Sequence, residues 1–179
     1  MEPMETERLV IRRFTAADSE DLYEYLSDPE VVLFEPYEPH TREEAEREAA
    51  RRAGDENFFA VCRKDTGKLI GNIYFQKGDF DTWELGYVFN ARHQGHGFAT
   101  EAARAVADRA FRDWGARRII AMCNPLNDRS WRLMERLGMR REGHLRQNVF
   151  FKRDANGNPI WNDTYLYGIL KDEWLTDRA

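Results

Sequence analysis

The chain has 179 residues, a net charge of −5 and an ordinary hydrophobic share of 42%. That suits one domain, residues 1–179, with a full core, and no apolar run approaches the roughly 20 residues of a membrane span. The acidic balance argues against general nucleic-acid binding, which rests on Lys and Arg neutralising phosphates. Cys62 and Cys123 lack metal-ligand spacing, and the N-terminus Met1–Glu5 is acidic without an apolar signal core. The expectation is a cytoplasmic, reduced protein without structural disulfides or a metal.

In chain order, Glu7 to Phe14 reads as a first strand. Thr15-Ala16-Ala17-Asp18 is a capping box opening a helix to about Leu26, which Asp28-Pro29 breaks. Val31 to His40 is irregular and holds Leu33, Phe34, Glu35 and Tyr37 among prolines. Thr41-Arg42-Glu43-Glu44 opens a second helix, acidic early and basic late as the macrodipole prefers, stopped at Gly54. Its run Arg47–Arg52 reads as a solvated face. Asn57–Lys64, Lys68–Gln76 and Thr82–Phe89 are three strands joined by short turns, hence antiparallel.

Next comes Arg92-His93-Gln94-Gly95-His96-Gly97-Phe98-Ala99, followed by an amphipathic helix with Phe98, Ala102, Val106, Ala110 and Trp114 on one face. Arg117–Cys123 is another strand, so that helix is a crossover and Thr82–Phe89 should run parallel to Arg117–Cys123. Asn127 begins a short helix stopped by Gly138, Met139–Phe151 and Ile160–Leu170 form a hairpin, and Lys171–Leu175 adds a helical turn. The fold class is a mixed α/β sheet with helices on both faces.

A strand, a glycine-bearing loop and a helix N-terminus expose unpaired N–H groups at the positive end of a helix dipole, a place for a phosphate. Arg92, His93 and His96 bring actual or potential positive charge. A Walker loop would need Gly-Lys-Ser/Thr, and a dinucleotide fold a sixth-position Gly or Ala where Thr100 stands. The pattern R/Q-x-x-G-x-G/A fits Arg92, Gly95 and Gly97; an ordinary strand-to-helix turn is the bland alternative.

That pattern is the coenzyme A loop of the GNAT acyltransferases, and a second stretch resembles the same family. Asn127-Asp128-Arg129-Ser130-Trp131-Arg132-Leu133-Met134-Glu135-Arg136-Leu137-Gly138-Met139 is similar to its N-x-x-[AS]-x-x-L-Y-x-K-x-G-F signature. Residues 6–175 resemble the branch that holds the ribosomal-protein N-terminal acetyltransferases, with Glu84-Leu85-Gly86-Tyr87 and Leu137–Gly143 among the similar segments. In isolation, Asn127 and Ser130 would be a plain helix cap and first-turn residue.

The resemblance implies a mostly antiparallel sheet whose central parallel pair splays apart, with acetyl-coenzyme A as cosubstrate and an amine as acceptor, a protein N-terminus or a small molecule. The pantetheine arm would lie in the split against the backbone of Tyr87, Val88 and Phe89. The pyrophosphate would meet Arg92 and the N–H groups from Gln94 through Gly95, His96, Gly97 and Phe98 to Ala99; Asn127 and Ser130 would approach the sulfur end. A monomer or homodimer is expected, with no nucleic-acid or membrane partner.

Direct transfer needs an unprotonated amine, and an alkyl ammonium has a pKa near ~10.4. A carboxylate can take the proton. Glu84 is the first candidate base, sharing a strand face with Gly86 and Val88; the alternative is a structural glutamate paired with an arginine on a neighbouring strand. Glu35, with Tyr37 in the stretch expected to cover the acceptor cleft, is the second, against a reading of simple surface solvation. Many family members place a tyrosine where this chain has Met134, which cannot donate a hydrogen bond to the leaving sulfur. Ser130 is the substitute. Cys123 as a nucleophile competes with its reading as a core residue. A non-catalytic acyl-coenzyme A-binding module on the same scaffold is the second function class.

Overall fold

A computed structural model describes residues 2–176. Its strands are β1 (Met4–Glu5), β2 (Leu9–Arg13), β3 (Phe58–Arg63), β4 (Leu69–Lys77), β5 (Thr82–Phe89), β6 (Arg118–Cys123), β7 (Arg140–Arg153) and β8 (Pro159–Leu170). The helices are α1 (Ser19–Leu26), α2 (Arg42–Ala53), α3 (Phe98–Arg112), α4 (Asp128–Arg136) and α5 (Lys171–Thr176). The strands form one sheet in the order β1-β2-β3-β4-β5-β6-β8-β7. Every neighbouring pair is antiparallel except β5–β6. The crossover through α3 makes that pair parallel, as its strand-helix-strand order requires.

Alternation along β5 divides the core. Leu85 and Phe89 face α3, whose Phe98, Ala102, Val106 and Ala110 are all buried there. Val88 faces the other way, toward the cluster of Leu22, Tyr25 and Leu26 from α1 and Ala49 from α2. Trp83 stacks with Phe75 and with Trp114, which is tilted against Phe75, all in the first cluster as core rather than cofactor contacts.

Several local expectations needed adjustment. The expected first strand is β2, shortened to Leu9–Arg13, and a further strand precedes it: Thr6 turns the chain, and β1 folds back on β2 with Met4 opposite Ile11. The first capping box is present but opens a 3-10 turn over Ala16–Asp18 before α1 begins. Its Asp18 has a second role, accepting from Arg12 at 2.7 and 2.9 Å. The second box forms as expected, with the Thr41 side chain accepting from Glu44 N–H. Arg52 is the clear correction: it is 2% exposed, not part of a solvated face. It donates to Glu48 at 2.7 Å and Asn72 at 2.9 Å, which satisfies a buried guanidinium that would otherwise be costly. A charge pattern cannot show which turn of a helix faces the sheet.

The β5–β6 pairing stops early. Register runs only from Thr82–Arg118 to Leu85–Ala121. Beyond it, Gly86–Phe89 stay paired with β4, while Met122 and Cys123 stay paired with β8. The sheet therefore parts between Gly86 and Met122, at its centre.

Candidate active site

The split ends at the glycine loop. Asn90 is buried, and its side chain accepts from Arg92 N–H at 3.0 Å, forming the turn out of β5. Gly95 and Gly97 have φ of 79° and 80°, the left-handed region that side chains disfavour. Gly97 is the N-cap of α3 and supplies no side-chain cap. Among the described residues, no protein acceptor takes the N–H groups of Gly95 through Thr100. The cradle starts one residue later than expected, because Gln94 N–H donates to Ala91 O. Arg8 braces the loop from outside, donating to His96 O at 3.0 Å and to Glu101 at 2.7 Å.

The charges around the loop differ in character. Arg92 is largely exposed, and its guanidinium contacts Glu24 at 3.1 Å. His93 does not add charge at neutral pH: burial, then the nearby Arg63, hold its pKa below the ordinary value. His96 is exposed. Arg129 donates to the Gln94 side-chain oxygen, tying α4 to the loop.

Backbone alternation decides which β5 groups face the split. Asn90 N–H donates to Ile70 O on β4. Val88, two residues back, therefore also turns its backbone toward β4, and Tyr87 and Phe89 turn theirs toward the split. The Phe89 carbonyl already accepts from the Gln94 amide at 3.1 Å. Tyr87 thus keeps its backbone N–H and C=O for a ligand, whereas Val88 contributes a side chain on the opposite sheet face.

Across the split, Asn127 caps α4 by accepting from Ser130 N–H at 3.2 Å. The Tyr87 phenol donates to Ser130 O at 2.9 Å and lies 3.0 Å from the Ser130 hydroxyl. Burial holds the phenol well above its ordinary pKa, so it stays protonated. Sequence reasoning used Tyr87 for its backbone alone; the signal for more was a tyrosine on a core-facing strand position, whose hydroxyl needs a partner. Met134 is buried as packing. Burial pushes the Cys123 thiol up to about 11, with the Ser130 hydroxyl beside it partly offsetting this, so the thiol is not a ready nucleophile.

Two carboxyl groups occupy the opposite sheet face. Glu84 sits on β5 opposite Gln76 and Ile120. It is partly buried, its pKa is raised by that burial, and it has no ion pair with an arginine among the described residues. The nearby arginine of that face, Arg118, is bound to Glu142 instead. Glu35 is also desolvated rather than surface-solvated, and its pKa rises to about 7; Arg52 and a hydrogen bond with Tyr37 oppose the rise. Tyr37 packs edge-on to His40 with ring centroids 5.2 Å apart. No group of residues able to hold a metal ion occurs among the described residues.

A parallel pair that parts at its centre, a row of N–H groups without protein acceptors at its end and a partly buried carboxyl on one face lie together here, and the comparisons give the family. The model of the acetyltransferase (GNAT) domain matches residues 8–140. The chain belongs to that family of acetyltransferases. It is 41% identical to the uncharacterized N-acetyltransferase YnaD of Bacillus subtilis, over 94% of this chain and 97% of the relative. It is 27% identical to the ribosomal protein uS5 alanine N-acetyltransferase of Escherichia coli, over 97% of this chain and 93% of that one. A GNAT-family acetyltransferase from Bacillus anthracis superposes with a TM-score of 0.87 at 36% identity, covering 96% of this chain and 99% of its own.

Proposed function

We propose that the chain is an acetyl-coenzyme A-dependent N-acetyltransferase that transfers the acetyl group directly to a primary amine. It would work as a single domain, in the cytoplasm, as a monomer or homodimer. The observation that carries this reading is the parting of β5 from β6 at Gly86, between a row of acceptorless N–H groups and a partly buried, unpaired Glu84.

The residues fit the cosubstrate. The left-handed Gly95 and Gly97 leave the Gly95–Thr100 N–H groups open to a pyrophosphate, with the α3 dipole adding to the attraction. Arg92 can swing to the same anion, since among the described residues its exposed guanidinium is held by Glu24 alone. The Tyr87 backbone would pair with the amide groups of the pantetheine arm. The cosubstrate supplies an acyl group already activated as a thioester; the chain's residues orient it and move the protons.

Glu84 is the proposed base. A carboxylate made more basic by burial takes a proton from an ammonium more readily than an exposed one. Its lack of an arginine partner favours this role over a structural one. Glu35, also desolvated, lines the acceptor side with Tyr37. At the sulfur end Ser130 is the proposed donor, held by its contact with the protonated Tyr87 phenol. Amine-dependent thiol release, with the N-acetyl product identified by mass, tests the reading. Cofactor binding without release would favour the acyl-coenzyme A-binding module.

A further inference from the structure

The sheet face that carries Glu84 has a composition that bears on the acceptor. Register partners point to the same side of a sheet, so Glu84 shares its face with Ile120, and Met122 with Leu166. Leu166 pairs with Gly143, and a Cβ on Gly143 would lie 3.8 Å from Leu166 and 3.9 Å from Leu145. Leu145 therefore joins the same row. Met122 is 43% exposed and Leu145 40%, while Ile120 and Leu166 are partly exposed. Met122 stands just past the last β5–β6 register pair, at the mouth of the split.

Charge on this floor gathers at one end. Arg118 and Glu142 neutralise each other over Gly168, next to Ile120, and Arg140, the β7 partner of Gly168, lies 3.8 Å from Glu173. Glu84 is left as an unpaired carboxyl beside an apolar strip. A cation at Glu84 is matched in charge, but a second cation placed along the strip would be desolvated against methyl groups without a partner. The strip also lies on an open strand face, whereas small-molecule sites enclose most of the ligand. An extended chain, at about 3.3 Å per residue, can run from Glu84 across Met122 to Leu145.

We infer that Ile120, Met122, Leu145 and Leu166 form an acceptor subsite for a polypeptide N-terminus with an apolar side chain at its second or third residue. This rests on the acetyltransferase reading above. Glu84 faces the terminal amine, and the strip selects the side chains next in the acceptor peptide. A large apolar side chain against a matching surface is worth roughly ten- to a hundredfold in discrimination.

The test uses the full chain, acetyl-coenzyme A and matched peptides beginning Ala-Leu and Ala-Asp, with spermidine as a polycationic control. Thiol release should give kcat/KM at least tenfold higher for Ala-Leu than for Ala-Asp, with spermidine poorer than Ala-Leu. Met122→Lys should shrink the preference mainly through KM, and Leu145→Asp on β7, beyond the intervening β8, should do the same. Equal rates for the two peptides, a preference untouched by both variants, or spermidine turned over as well as Ala-Leu would overturn the subsite. Those outcomes leave the enzyme active and so differ from failure of the transferase reading, in which no amine supports thiol release.

Discussion

Replacing Glu35 by Gln should stabilise the protein, and only above a particular pH. Burial raises the Glu35 carboxyl from an ordinary 4.5 to about 7. A raised carboxyl pKa means that the folded state disfavours the charge. The penalty is absent below pH 4.5, grows between 4.5 and 7, and is complete above 7. At about 1.4 kcal/mol per pKa unit, the shift sets an upper limit of about 3 kcal/mol. Glu35 keeps some solvent contact, Arg52 attracts its charge, and the variant alters the Tyr37 hydrogen bond, so about 1–2 kcal/mol is the expected gain. For a chain of this size that is a rise of roughly 2–8 °C in Tm. Thermal unfolding of wild type and Glu35→Gln at pH 4.5, 6 and 8.5 measures it, the difference between the proteins cancelling the other titrations. A Tm gap that is the same at all three values, or that closes as pH rises, would refute the desolvated carboxyl.

Glu84→Gln should lower kcat/KM by roughly a hundredfold below the amine's pKa and leave cofactor affinity intact; loss of the limb in which rate rises with Glu84 ionisation is the signature in the pH–rate profile. Gly97→Val forces a β-branched residue to φ near 80° and crowds the N–H cradle, so acetyl-coenzyme A affinity should fall at least tenfold by calorimetry. Ser130→Ala removes one hydrogen bond to a developing thiolate and should slow turnover roughly ten- to a hundredfold. Tyr87→Phe should slow it less if the phenol only holds Ser130. Met134→Leu and Cys123→Ala should leave turnover largely intact.

Local signals were legible in the sequence. The capping box at Thr41–Glu44, the glycine pair before α3 and the crossover that makes β5–β6 parallel all depend on neighbours in the chain. So does the family resemblance, since both motifs fall within short segments. The features that escaped depend on register and depth. Tyr87 meets Ser130 across 43 residues, a contact fixed by how α4 docks beside β5. The alternation that turns Val88 away from the split comes from the β4 pairing, not from residue type. Arg52 and Glu35 look like surface charges in a polar stretch; the second core cluster buries the first and desolvates the second. The apolar floor beside Glu84 joins residues from β6, β7 and β8, with a bulge between Arg141 and Gly143 shifting the last strand's register.

Acetyl transfer at the split is tested most directly by thiol release from acetyl-coenzyme A as amine is added, with the protein and products weighed by mass spectrometry. The account predicts one thiol released per N-acetylated amine, little release without amine, and no acetyl group left on the protein when acceptor is withheld. Cofactor binding without amine-dependent release would contradict catalysis. A competent acetyl-Cys123 adduct would contradict direct transfer.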